Sequence, residues 1–162
     1  VNKLIILRGN SGSGKSTVAR RIQREAGVPV AIIEQDYYRH ELLYPWDERA
    51  IKARASIMTQ NAVTLLRLGY TVIIEGVMSG ERFGLIYHQI LAEWSGESTV
   101  YYFAVSLNET LRRHQTRSKR HDFSEQDMRA WYKENDMLGA DILIGENMTA
   151  DEIVGRILET LR

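Results

Sequence analysis

The chain has 162 residues, 21 Lys and Arg against 21 Asp and Glu, and no cysteine. That length fits one domain with a proper core, read here as residues 1–162. Balanced charge excludes a global basic field for nucleic acid or membrane, and the absence of thiols excludes disulfides, thiolate metal sites and a cysteine nucleophile.

In chain order, the first apolar run lies at 4–7, so close to the first residue given that no signal peptide is expected. A helix is expected at 15–26, with Val18, Ala19, Ile22 and Ala26 on one face and Gly27 and Pro29 ending it. A second β-rich run at 30–33 precedes a long helix at 48–68, where Ile51, Ala55, Met58, Ala62 and Leu65 recur at helical spacing and Gly69 closes the pattern. Strand 71–74, helix 81–94, strand 100–105, helices 109–117 and 124–135, strand 142–144 and helix 149–161 follow. The last opens with Thr149 three residues before Glu152, the spacing of a capping box. No apolar run approaches the roughly 18 residues of a membrane span, so a cytoplasmic protein with no membrane partner is expected. Strands alternating with helices imply an α/β fold with a parallel sheet covered on both faces. Ligands then bind at the carboxyl ends of the strands.

At that edge, directly after the first strand, stands Gly9-Asn10-Ser11-Gly12-Ser13-Gly14-Lys15-Ser16-Thr17. It satisfies the phosphate-loop pattern G-x-x-x-x-G-K-[ST] at every fixed position. Glycines let the backbone wrap phosphate oxygens in conformations that a Cβ obstructs. Successive N–H groups form an anion nest at a helix start. Lys15 is expected to reach the β- and γ-phosphates, and Ser16 to ligate Mg²⁺.

Three further features bear on the reaction. The third strand runs into Glu75-Gly76, where an acid could hold Mg²⁺ through water or simply face solvent. The stretch from Leu111 to His121 has five Lys or Arg among eleven residues and no acid. Arg113 and Arg117 in it share a helix face; a solvated helix end and a nucleic-acid patch are the other uses of such a stretch. The four histidines show no metal-ligand spacing, and the guanine-specific N-K-x-D pattern is absent, which favours ATP.

Together these residues resemble the adenylate-kinase-like group of small P-loop kinases, which includes small-molecule and 5′-hydroxyl polynucleotide kinases. The resemblance covers essentially the whole chain. It implies a three-layer P-loop NTPase fold with a five-stranded parallel sheet in the order 2-3-1-4-5. It also implies an acceptor-binding acid after the second strand, a basic lid at about 112–123, and a loop after the fifth strand, here Gly145-Glu146-Asn147, that meets adenine. Asp36 and Arg39 look like the D-x-x-R of the polynucleotide-kinase subgroup. A carboxylate there can take the acceptor hydroxyl's proton, and a guanidinium can grip an anionic part of the acceptor; the structural alternatives are a helix N-cap and a solvated charge. Arg113 and Arg117 resemble the R-x-x-x-R lid, with one arginine on adenine and another on the phosphoryl group in flight. Glu75 departs from the subgroup, which more often has an aspartate one residue later.

An ATP-dependent phosphotransferase using Mg²⁺ is therefore expected, with Lys15, Asp36, Arg113 and Arg117 in catalysis. The acceptor would be a small-molecule hydroxyl or a nucleic-acid end. A nucleotide kinase with a phosphate acceptor and an ATP-responsive binding protein remain the alternatives.

Overall fold

A computed structural model describes residues 2–45, 47–116 and 123–162. Five strands, β1 (Leu4–Gly9), β2 (Val30–Glu34), β3 (Thr71–Gly76), β4 (Ser98–Ala104) and β5 (Ile142–Gly145), form a parallel sheet in the order β2-β3-β1-β4-β5. This is the three-layer P-loop arrangement that the resemblance implied. The central strands β1 and β3 are buried along their whole length, as expected for a sheet covered on both faces.

The period of two along β1 divides the core. Ile5 and Leu7 join Val18, Ile22, Ile153 and Ile157 beneath α1 (Lys15–Glu25) and α7 (Ala150–Glu159). Leu4 and Ile6 join Met58, Leu66, Phe83 and Ile90 beneath α3 (Glu48–Arg67) and α4 (Gly80–Glu93). Between β2 and α3 lie a single helical turn, α2 (Gln35–Tyr37), and a π-helical turn, Tyr38–Leu42. The remaining helices, α5 (Leu107–Gln115) and α6 (Glu125–Trp131), precede β5.

Helix ends follow local chemistry. Gly69, at φ 89°, closes α3 while its N–H and that of Tyr70 bond the carbonyls of Leu66 and Leu65, which is a Schellman cap. The expected capping box of Thr149 and Glu152 opens α7, and Ser124 with Asp127 makes another at α6. One expectation needs correction. The helix expected at 124–135 stops at Trp131, and its last residues instead run back across the phosphate loop. Segment 35–42 is helical although no apolar period marks it.

Strand register sets up the carboxyl edge of the sheet. Leu7 pairs with Glu75, Arg8 with Gly76, Gly9 with Phe103, and Glu34 with Glu75. The ends of β1, β2 and β3 therefore lie side by side, with the loops after them facing one cleft. Among the described residues no helix is long and apolar enough to cross a membrane.

Candidate active site

The phosphate loop leaves β1 at Gly9, where φ is 144°, and enters α1 from Gly14, at φ 100°. A Cβ on Gly9 would lie 2.8 Å from the carbonyl oxygen of Phe103, so close contact with β4 as well as backbone conformation demands glycine. Lys15 is buried, and its Nζ donates to the carbonyl of Asn10 at 2.8 Å and to Ser13 Oγ at 3.1 Å. The ammonium is thus folded over the nest, where phosphate oxygens can replace these two acceptors. Gly12, Gly14, Lys15, Ser16, Thr17, Arg113 and Thr116 line a cavity of about 210 Å³ there. Ser11 lies on the other side of the loop, beside Val77 and Trp131.

Glu75 is buried where β3 ends, and its Oε1 accepts from Ser16 Oγ at 2.8 Å. Burial pushes its carboxyl above the usual carboxylate range; the Lys15 charge and the Ser16 bond pull it down, while Glu34 and Asp36 add to the rise. Mg²⁺ prefers oxygen donors, takes few from protein and keeps several waters. A hydroxyl hydrogen-bonded to a carboxylate at the foot of the phosphate cavity fits that preference, Ser16 as a direct donor and Glu75 through water. Among the described residues no cluster of three or more His, Asp or Glu offers a protein-built metal cage.

Because folding raises the Glu75 pKa, the native state holds this proton more tightly than the unfolded chain does. The sign follows: in the metal-free protein this group's contribution to stability falls as pH rises from the ordinary glutamate range through the raised value. Glu75→Gln is expected to raise the melting temperature of metal-free protein at neutral pH and to lower Mg²⁺-dependent turnover by about 10–100-fold. Thermal melts and turnover assays over a pH series check both.

On the acceptor side, Asp36 is the second residue of α2 and Arg39 lies in the π-helical turn; both are exposed. Glu34, not Asp36, takes the N-cap position of α2. Asp36 is close enough for its charge to act on Glu75. A larger cleft of about 730 Å³ opens between β2 and α3, but neither Asp36 nor any phosphate-loop residue lines it. Of the nearby aromatics, Tyr38 is buried and Tyr37 and Tyr44 are exposed.

Arg113 projects from α5 over the phosphate loop. Its Nη1 donates to the Ser13 carbonyl at 3.2 Å, its Nη2 to the Glu146 carbonyl at 2.9 Å, and its Nε to Glu109 Oε1 at 2.7 Å. It therefore joins the phosphate nest to the β5–α7 loop. Arg112 pairs with the same Glu109 but points outward, and the two guanidinium groups draw the Glu109 carboxyl down to about 2. Arg117, the second expected lid arginine, lies outside the described residues, as do residues 117–122 of the 112–123 lid.

Residues 4–138 match the AAA domain family. This chain belongs to that family. No curated protein matches it in sequence. Among solved structures, the Mycobacterium tuberculosis APS kinase in complex with AMPPNP and APS superposes with TM-score 0.74 at 18% identity, covering 99% of this chain and 97% of that one. A gluconokinase from Sinorhizobium meliloti 1021 gives 0.67 at 16%, covering 98% and 91%. The Pnkp1/Rnl/Hen1 RNA repair complex gives 0.64 at 19%, covering 79% of this chain and 42% of that one. At these identities the likeness is one of fold, and it extends nearly end to end for the two small kinases.

Two features of this AAA domain went unread in the sequence. Arg8 is fully buried at the end of β1, and its position just after an apolar run was the one hint of a charged strand residue. The side chain of Asn10 turns away from the phosphate nest and clasps the backbone of Lys133, accepting from its N–H at 2.9 Å and donating to its carbonyl at 2.7 Å. No local pattern announces a contact across 123 residues.

Proposed function

We propose that this chain transfers the γ-phosphoryl group of ATP to a hydroxyl group, most simply that of a small molecule. The carrying observation is the Ser16–Glu75 hydrogen bond beneath the phosphate cavity, with Asp36 near enough for its charge to act on Glu75. A phosphate cradle, a hydroxyl–carboxylate pair suited to Mg²⁺ and a carboxylate able to accept a proton, all at one sheet edge, support this reading. The end-to-end likeness to structures solved as an APS kinase and a gluconokinase supports the same chemistry.

In the proposed step the acceptor oxygen attacks the γ-phosphorus, the bond to the β–γ bridging oxygen breaks, and ADP leaves. Asp36 takes the hydroxyl proton. Arg39 would bind an anionic part of the acceptor. Lys15 and Arg113 neutralise charge on the phosphates, and Arg117 would join them within a lid at about 112–123. Bound Mg²⁺ would supply further neutralisation. Backbone N–H groups of residues 9–17 hold the phosphates, and closure over the site would exclude water, limiting ATP hydrolysis.

ADP release from Mg·ATP tests this against pooled nucleosides, sugars, aminoglycosides and 5′-hydroxyl oligonucleotides. One pool is expected to stimulate release, and the stimulation should vanish in Lys15→Met. ATP binding with no stimulated release by any pool would favour a nucleotide-responsive binding protein. The likeness to the RNA repair complex makes the oligonucleotide arm informative. A steep loss of oligonucleotide binding with added salt would mark a nucleic-acid end as the acceptor.

A further inference from the structure

We propose that Arg8 is a positioning residue that sets the acceptor-facing wall of the cleft by clamping the β3–α4 loop; the proposal rests on the phosphotransfer reading above. Arg8 is 0% exposed. Its Nε and Nη2 donate to the Met78 carbonyl at 3.3 and 3.0 Å, its Nη1 to Asp141 Oδ2 at 2.7 Å, and its Nη2 also to Asp136 Oδ2 at 3.2 Å. The rings of Phe83 and Tyr102 flank the guanidinium at 5.6 and 5.4 Å.

Met78 carries the backbone strain of this loop, with φ at 38°. Both sides of the residue are tied down by neighbours of functional residues. Its carbonyl is held by Arg8, which adjoins the phosphate loop. Its N–H donates at 3.0 Å to Oε1 of Gln35, which adjoins Asp36. The Gln35 side chain lies against Gly76, where a Cβ would collide with it. Asp136 also accepts from the Gly80 N–H at 2.9 Å, so the end of the loop is fixed as well. The segment that supplies Asp136 and Asp141 is itself fastened to the phosphate loop through Lys133 and Asn10.

These bonds place the loop after Glu75 in fixed relation to both the ATP side and the Asp36 side. Near-attack alignment is sensitive to small displacements, of which about 1 Å can cost 10²-fold in rate. A burial role alone would not require a planar fork reaching one carbonyl and two carboxylates.

Arg8→Lys keeps the charge but not the fork, and Gln35→Met removes the other tie on Met78 without touching the buried ion pairs. Both variants are expected to lower acceptor kcat/KM by roughly 10–10²-fold. Their affinity for a non-hydrolysable ATP analogue should stay within about threefold of the parent. Hydrogen exchange should quicken at 76–80 and stay unchanged at 10–16. Exchange at 76–80 that stays at the parent rate in both variants would overturn the proposal. So would ATP affinity falling in step with turnover, which would make Arg8 a prop for the phosphate loop instead. If the parent protein transfers phosphate to no acceptor, the phosphotransfer reading fails, and the exchange measurement still decides the role of Arg8.

Discussion

Lys15→Met is expected to lower acceptor-dependent ADP release by roughly 10²–10³-fold, the usual effect of removing one preorganised donor to a developing charge. Methionine matches the length of the lysine stem but leaves the Asn10 carbonyl and Ser13 Oγ without the ammonium that joins them. A melting curve beside the kinetics shows whether the loop still folds. The substitution has a second consequence. Lys15 is the largest influence holding the Glu75 pKa down against burial, so its removal lets that pKa rise further. The acid limb of kcat/KM, which reports the free enzyme, should therefore move to higher pH. Activity recovered by raising the pH measures the indirect effect through Glu75. The loss that persists at high pH measures contact between Lys15 and phosphate.

Much of this was legible from local patterns. The alternation of strands and helices, the glycine-rich loop and the Thr149 capping box are short-range features whose causes lie within a few residues of each other. They correctly anticipated a parallel sheet with its loops at one edge. The end of α6 was not legible in this way, because residues 132–141 leave the helix to meet Asn10, Val105 and Arg8, which lie far away in sequence. The short helix at 35–42 was hidden for a related reason. Its place is fixed by Gln35 against Gly76 and by Tyr38, which is buried and bonded to Asn61, rather than by an amphipathic period. Glu75 and Ser16 could each be nominated from sequence, but their hydrogen bond depends on the pairing of β1 with β3. The pKa of Glu75 depends on residues from two other stretches of the chain, Lys15 with Ser16 and Glu34 with Asp36.

Asp36→Asn is expected to reduce turnover by roughly 10²–10⁴-fold with little change in ATP affinity, since asparagine preserves size and hydrogen bonding but cannot take the acceptor proton. Its effect on Glu75 runs opposite to that of Lys15→Met. The Asp36 charge raises the Glu75 pKa, so neutralising it should move the acid limb of kcat/KM to lower pH. The pair of variants thus separates two roles that a loss of rate alone would merge. If Asp36→Asn shifts the limb downward and lowers turnover at every pH, the Asp36 charge acts on Glu75 and Asp36 also handles the acceptor. If the limb shifts while turnover on its plateau stays at the parent value, Asp36 is an electrostatic neighbour of the metal-side carboxylate. The proton must then leave by another route.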